Sequence, residues 1–250
     1  MKKMKKAISL FLLMGTLYVS AQDSALLRYN LKKGDKYEVV LNMKQDMAPI
    51  MDMDITIKML MESKGKDKEN TKVASSFKRM AINMTAGGEE VKFDSDEKSE
   101  DMDADAKKMQ AEIAPLLNMM IHQTMNKYGK IIDVKVVPEV KGASQFTDQA
   151  QLTSMVYPEK AVKVGSKWMH SQNISGMKMD GTYTVKKITQ NRVFADFSGK
   201  LGSDDASKMT GNLEIDRNSG MILDMKLNMS MSQGGMSMKM NVTMKSKKVN

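Results

Sequence analysis

Leu223-Asp224-Met225-Lys226-Leu227-Asn228-Met229-Ser230-Met231 alternates apolar and polar residues without a break, and after Gly234-Gly235 the same alternation resumes at Met236, Met238, Met240, Val242 and Met244. A period of two sends successive side chains to opposite sides of an extended chain, so both stretches are strands with one greasy face. The Gly-Gly dipeptide between them makes the pair a hairpin. With a two-residue turn, Met231 stands opposite Met238, Met229 opposite Met240 and Leu227 opposite Val242, so that apolar meets apolar along the whole ladder.

The design recurs near the other end, where Tyr37, Val39, Leu41 and Met43 share one parity before a turn at Ala48-Pro49. Met51, Met53, Ile55, Ile57, Met59 and Met61 follow it. Strands of about ten residues reach roughly 30 Å, and long strands with one apolar face predict a broad curved sheet. Further strands are expected over 78–85, with Met80, Ile82 and Met84 on one face, and over 91–93. Good helix formers predict a helix over 104–116, interrupted at Pro115, with a strand pair after it over 117–125 and 130–136 around Tyr128-Gly129. A second helix is expected over 145–155, ended by Tyr157-Pro158.

Two sequence patterns occur twice. Leu31-Lys32-Lys33-Gly34-Asp35-Lys36-Tyr37 is echoed by Val162-Lys163-Val164-Gly165-Ser166-Lys167-Trp168, and the turn from Asn126 to Lys130 is echoed, with one residue more, by Asp216 to Met221. The chain therefore reads as two diverged β units. Unit one covers about 27–136 with an acidic and helical insertion at 94–116, a helical connection covers 137–157, and unit two covers about 158–250. The fold class is mainly β: long antiparallel strands in a curved sheet or half-barrel, with about two short helices.

Lys2, Lys3, Lys5 and Lys6 precede an apolar stretch over 7–17, and Val19-Ser20-Ala21 supplies small residues, the layout of a cleaved export signal over 1–21. That stretch is too short to cross a bilayer, and no later apolar run is longer. Periplasmic or extracellular placement is the expectation. Removing four lysines and no acid from a net charge of +9 leaves +5, mild and spread among acids, so no nucleic-acid footprint is present. Absence of cysteine excludes disulfides, thiolate nucleophiles and zinc–thiolate sites. An outer-membrane barrel would show aromatic girdles, which one Trp, six Tyr and six Phe do not supply in that placement.

Ser20-Ala21-Gln22, the Leu31 to Tyr37 opening, Pro158-Glu159-Lys160 leading into Val164-Gly165-Ser166-Lys167-Trp168, and the Asn218-Ser219-Gly220-Met221 turn together resemble an uncharacterised secreted family of Bacteroidota. That resemblance implies secretion and no known activity. More loosely, the predicted architecture is similar to the half-barrel of periplasmic lipoprotein carriers, in which a curved sheet and covering helices enclose an apolar cavity.

No catalytic constellation emerges. His122 shares a parity with Met120 and Thr124, opposite Met119 and Ile121, as a surface histidine would, and His170 pairs by spacing with no Ser or Asp. The acids over 94–105 lack the glycine and terminal glutamate of a twelve-residue calcium loop, and read as a solvated loop feeding a helix N-terminus. What stands out is 29 methionines in 250 residues. Methionine fills irregular apolar space and adapts to varied ligands. The expectation is a non-catalytic exported protein, without cofactor, that binds a lipid or other hydrophobic molecule on a face lined by Met53, Ile55, Ile57, Met59, Met225, Leu227, Met229, Met231, Met238, Met240 and Val242. The helices would cover it. The alternatives are a Cu(I) site of clustered thioethers at Met236, Met238 and Met240 beside Met229 and Met231, and a structural or interaction module of the cell envelope.

Overall fold

The computed structural model describes residues 24–47, 49–139, 155–174, 177–202, 207–233 and 236–249. The expected export signal, most of the second expected helix and the Gly234-Gly235 turn lie outside them.

Twelve strands form one antiparallel sheet. Unit one supplies β2 (Lys36–Met47), β3 (Met51–Asp67), β4 (Asn70–Ala86), β5 (Glu89–Asp94), β6 (Met120–Met125) and β7 (Ile131–Val137). Unit two supplies β9 (Lys167–Ile174), β10 (Met177–Ile188), β11 (Arg192–Leu201), β12 (Ser207–Asp216), β13 (Ile222–Gln233) and β14 (Met236–Val249). The strand order is β7-β6-β4-β3-β2-β14-β13-β12-β11-β10-β9, with β5 beside the C-terminal half of β4. The sheet curves without closing, and β7 and β9 are its edges. A separate two-stranded ribbon pairs β1 (Ser24–Ala25) with β8 (Val162–Lys163).

The C-terminal hairpin has the register that its alternation predicts, with Met231 opposite Met238, Met229 opposite Met240 and Leu227 opposite Val242. Its outer strand then pairs with β2, placing Val242 opposite Met43 and Met244 opposite Leu41. The two units thus share a single sheet, sealed by the first long strand and the last.

The repeated sequence patterns carry repeated hydrogen bonds. The Gly34 N–H donates to the Ser63 carbonyl at 2.9 Å, and the Gly165 N–H donates to the Val185 carbonyl at 2.8 Å. The Lys32 N–H donates to Asp35 Oδ2, and the Lys163 N–H to Ser166 Oγ, both at 2.8 Å. In the later pair, Asn126 Oδ1 accepts from the Tyr128 N–H as Asp216 Oδ1 accepts from the Asn218 N–H. Each of those turns ends on a left-handed glycine, Gly129 at φ 83° and Gly220 at φ 67°. A side chain there would also collide: a Cβ on Gly129 would lie 2.7 Å from the Met155 carbonyl oxygen, and one on Gly220 would lie 2.3 Å from that of Arg28.

Those collisions mark two segments that cross beneath the sheet. Residues 24–31 bury Ala25, Leu27, Tyr29 and Leu31 in alternation. The Tyr29 N–H donates to the Lys127 carbonyl and the Asn30 N–H to the Ser219 carbonyl, so this segment ties together the turns of both units. Residues 155–157 run alongside: the Tyr157 N–H donates to the Tyr128 carbonyl at 2.8 Å, and Trp168 Nε1 donates to the Val156 carbonyl at 3.1 Å. Together they make a strap across one end of the sheet.

The helix α1 (Ala104–Leu117) starts at Asp103, whose carboxylate accepts from the Asp105 and Ala106 N–H groups. It continues through Pro115 to Leu117, two residues past the expected interruption. Ala106 and Ile113 are its buried residues, and it packs on β4 and β5. The outer face of the sheet carries cross-strand ion pairs such as Lys44–Asp54 and Lys58–Glu38, exposed and worth little individually.

Candidate functional site

Between the strap and the inward face of unit one lies a cavity of about 150 Å³, partly open to solvent. Val39 and Leu41 of β2, Ile57, Met59 and Met61 of β3, Ser75 and Phe77 of β4, and Ile121, Gln123 and Met125 of β6 form its wall. The strap closes it with Tyr29, Met155 and Tyr157, and Met221, Ile222 and Met244 border it from unit two. All these side chains are buried except Met59, Gln123 and Met125, which are half-buried.

Among the described residues no Lys, Arg, His, Asp or Glu lines the wall. Its two phenols stay protonated as well, because burial pushes Tyr29 and Tyr157 well above their ordinary value of 10.0. The Tyr157 hydroxyl donates to the Gly220 carbonyl at 2.5 Å, while the Tyr29 hydroxyl reaches the Met61 sulfur at 3.9 Å.

Of the residues expected to line a binding face, Ile57 and Met59 border this cavity. Met225, Leu227, Met229 and Val242 are buried in the continuous core, and Met53, Ile55, Met231, Met238 and Met240 are half-buried on the same inward parity. Of the expected cover, 145–154 lie outside the described residues. The strap lines the cavity, whereas α1 sits on β4 and β5 and contributes no lining residue. Sequence reasoning missed Ser75 and Phe77, which lie where no apolar alternation announces a strand, Gln123, a polar residue on the apolar parity of an expected strand, and the strap, whose alternation spans only Ala25 to Leu31.

His122 is exposed, as its parity predicts, and His170 sits half-buried with Nε2 at 3.1 Å from Gln172 Oε1. The acids of the loop are exposed except Asp94, which meets Arg79. Among the described residues no cluster of three or more His, Asp or Glu is placed to hold a metal ion, and no helix is long and apolar enough to cross a membrane.

Fold and site together define an open antiparallel half-barrel with an uncharged apolar cavity above a strap. A family model described as a family of unknown function, DUF6263, matches residues 136–249, which include all of unit two. No curated protein matches the chain in sequence. Among solved structures, lipovitellin, in a structure titled for its lipid–protein interactions, superposes with a TM-score of 0.60 at 10% identity, over 88% of this chain and 25% of its own. The chain therefore spans about a quarter of lipovitellin and shares its sheet architecture. A β-barrel-like protein of unknown function, DUF1849, from Brucella abortus aligns over 88% of this chain and all of its own at 9% identity, with a TM-score of 0.25, too low to establish a common fold.

Proposed function

We propose that this is an exported, non-catalytic protein that holds a lipid or another hydrophobic molecule in the cavity between the unit-one sheet and the strap. The carrying observation is a cavity walled by methionine, isoleucine, leucine and phenylalanine, with no charged side chain among the described residues. Pockets of this make-up favour apolar ligands, and methionine lets the wall adapt to more than one shape. Methionines do contribute here, though not only the expected ones: Met61, Met125, Met155, Met221 and Met244 join Met59. The lipid–protein interactions described for lipovitellin agree with this reading. The Lys-rich start and the apolar stretch over 7–17 support export.

Native mass spectrometry of the protein purified without detergent tests the ligand. A bound apolar species that organic extraction removes, and that the stripped protein takes up again, is the expected result. Stripped protein that never binds an apolar probe would end the proposal. For export, cell fractionation should find a chain shortened by about 21 residues outside the cytoplasm.

A further inference from the structure

Apart from the two strap tyrosines, two polar side chains interrupt the described apolar wall, and they are neighbours. Ser75 on β4 pairs with Ile121 on β6, and Val73 pairs with Gln123, so Ser75 and Gln123 lie on a diagonal of the same inward face. Diagonal neighbours of this kind sit about 7–8 Å apart, within reach of one small group placed between them. Ser75 is only 8% exposed. Among the described residues neither its hydroxyl nor the Gln123 amide has a hydrogen-bond partner, yet both line the cavity. The buried hydroxyls of Thr71 and Ser246 also lack partners, but they do not line this cavity.

An amide and a hydroxyl that face a greasy, partly open space are met there by water or by a ligand, and a ligand that displaces the water gains only if it replaces the lost bonds. A full charge would not serve, since the described lining holds no counter-ion and ionised groups are costly to desolvate unpaired. A neutral group that both donates and accepts would serve. The enclosed space is about that of a cavity that admits benzene, so it takes a compact molecule or one end of a longer one.

Building on the hydrophobic-ligand reading, we propose that the cavity selects an amphiphile without net charge, whose hydroxyl or amide group bonds to Gln123 and Ser75 while its apolar part lies against Ile57, Met61 and Phe77. Any longer tail leaves past Met59 or Met125, where the wall is half-buried.

Displacement of the fluorescent probe N-phenyl-naphthylamine from the full chain by octanol, octane and octyl phosphate tests this. Octanol should displace the probe at about tenfold lower concentration than octane, the effect of one or two added hydrogen bonds, and octyl phosphate should be weakest. Gln123→Leu should bring octanol and octane within about twofold of each other. Gln123→Lys should invert the order in favour of octyl phosphate, which keeps the test decisive if the leucine variant misfolds. Octyl phosphate matching octanol in the wild type, or an octanol preference that survives Gln123→Leu, overturns the neutral head group and leaves apolar binding standing. If the probe does not bind, or none of the three displaces it, the hydrophobic-ligand reading itself falls.

Discussion

The two units can be compared position by position, because their ladders start from turns with the same hydrogen bonds. One row across unit one reads Tyr37, Met61, Ser75, Ile121, and the matching row across unit two reads Trp168, Tyr183, Phe197, Gly211. The next row reads Ser63, Val73, Gln123 against Val185, Ala195, Leu213. Unit two fills its row with rings: Trp168 stacks on Tyr183 at 5.0 Å between centroids, and Tyr183 meets Phe197 at 4.9 Å. Phe197 in turn lies on Gly181, where a Cβ would come within 2.1 Å of the ring. Unit one has a serine where Phe197 stands and a glutamine where Leu213 stands. The cavity is therefore what remains when the same sheet is built without those two side chains, and its polar contacts are the residues that replaced them.

Exchanging the two residues breaks this comparison most directly. Phe197→Ser empties the filled row and should destabilise the protein by about 4 kcal/mol, as large-to-small core changes do, read from the urea midpoint. Ser75→Phe places a ring in the hollow. Since the space is about the size that admits benzene, the variant should fold and lose probe binding by more than tenfold. Probe binding that survives Ser75→Phe would show that the cavity is not the site.

Alkaline titration sharpens the comparison through tyrosines in both halves, Tyr29 and Tyr157 in the strap and Tyr183 in the aromatic row. Burial raises all three above the ordinary value of 10.0. A raised folded pKa means that the native state holds its proton while the unfolded chain loses it. The stabilisation is complete below pH 10 and is lost as pH rises above it. Between pH 9 and pH 11 each tyrosine should cost about 1.4 kcal/mol, so the two strap residues together cost about 3 kcal/mol. Tyr183→Phe should remove its share of the slope in a plot of urea midpoint against pH, and Tyr157→Phe should do so while also losing its bond to the Gly220 carbonyl.

Filling only the polar gap has a smaller effect of opposite sign. Gln123→Leu copies the Leu213 position of unit two and removes an unpaired amide, so the empty protein should gain about 1 kcal/mol while losing its preference for octanol. Stability and selectivity moving in opposite directions would mark Gln123 as retained for binding. A loss of stability would mean that the amide supports the fold instead.

How much of this was legible in the sequence depends on whether local alternation or a distant partner decides the matter. The inward face of β13 and β14 follows from the alternation of Met229, Met231, Met238 and Met240, their register follows once Gly234-Gly235 is taken as a two-residue turn, and the helix start follows from acids before a run of good formers. The cavity required pairings that alternation does not encode. The β4 ladder shifts register between Arg79 and Phe77, so that Phe77 faces the same side as Met80 although they are three residues apart. That bulge breaks the period of two where unit one becomes hollow, and residues 70–77, with Val73 as their only large aliphatic, show no alternation that would announce a strand. Gln123 faces inward because β6 pairs with the N-terminal half of β4, across a gap of some 50 residues filled by β5 and α1. The strap joins turns about 90 residues apart, through backbone groups that any residue could supply.

The smallest effect concerns the part of unit one that unit two lacks. β5 and α1 are inserted between the strands equivalent to β11 and β12, and Arg79 of β4 holds β5 in place through Asp94, with Nε donating to Oδ1 at 2.9 Å and a second bond from the other arm of the guanidinium to Oδ2. Hydrogen bonding and charge from Arg79 keep the Asp94 carboxyl below the usual carboxylate range. A lowered folded pKa gives stability that is present above the ordinary value, about 3.9, and lost as pH falls through the folded one. Both side chains are about a third exposed, so the contribution should stay below about 1 kcal/mol. Arg79→Gln should flatten the acid limb of the stability curve below about pH 4 by that amount and leave the alkaline limb unchanged. Because the pair anchors the insertion and not the cavity wall, octanol displacement should not move; if it does, β5 and α1 shape the site although none of their residues lines it.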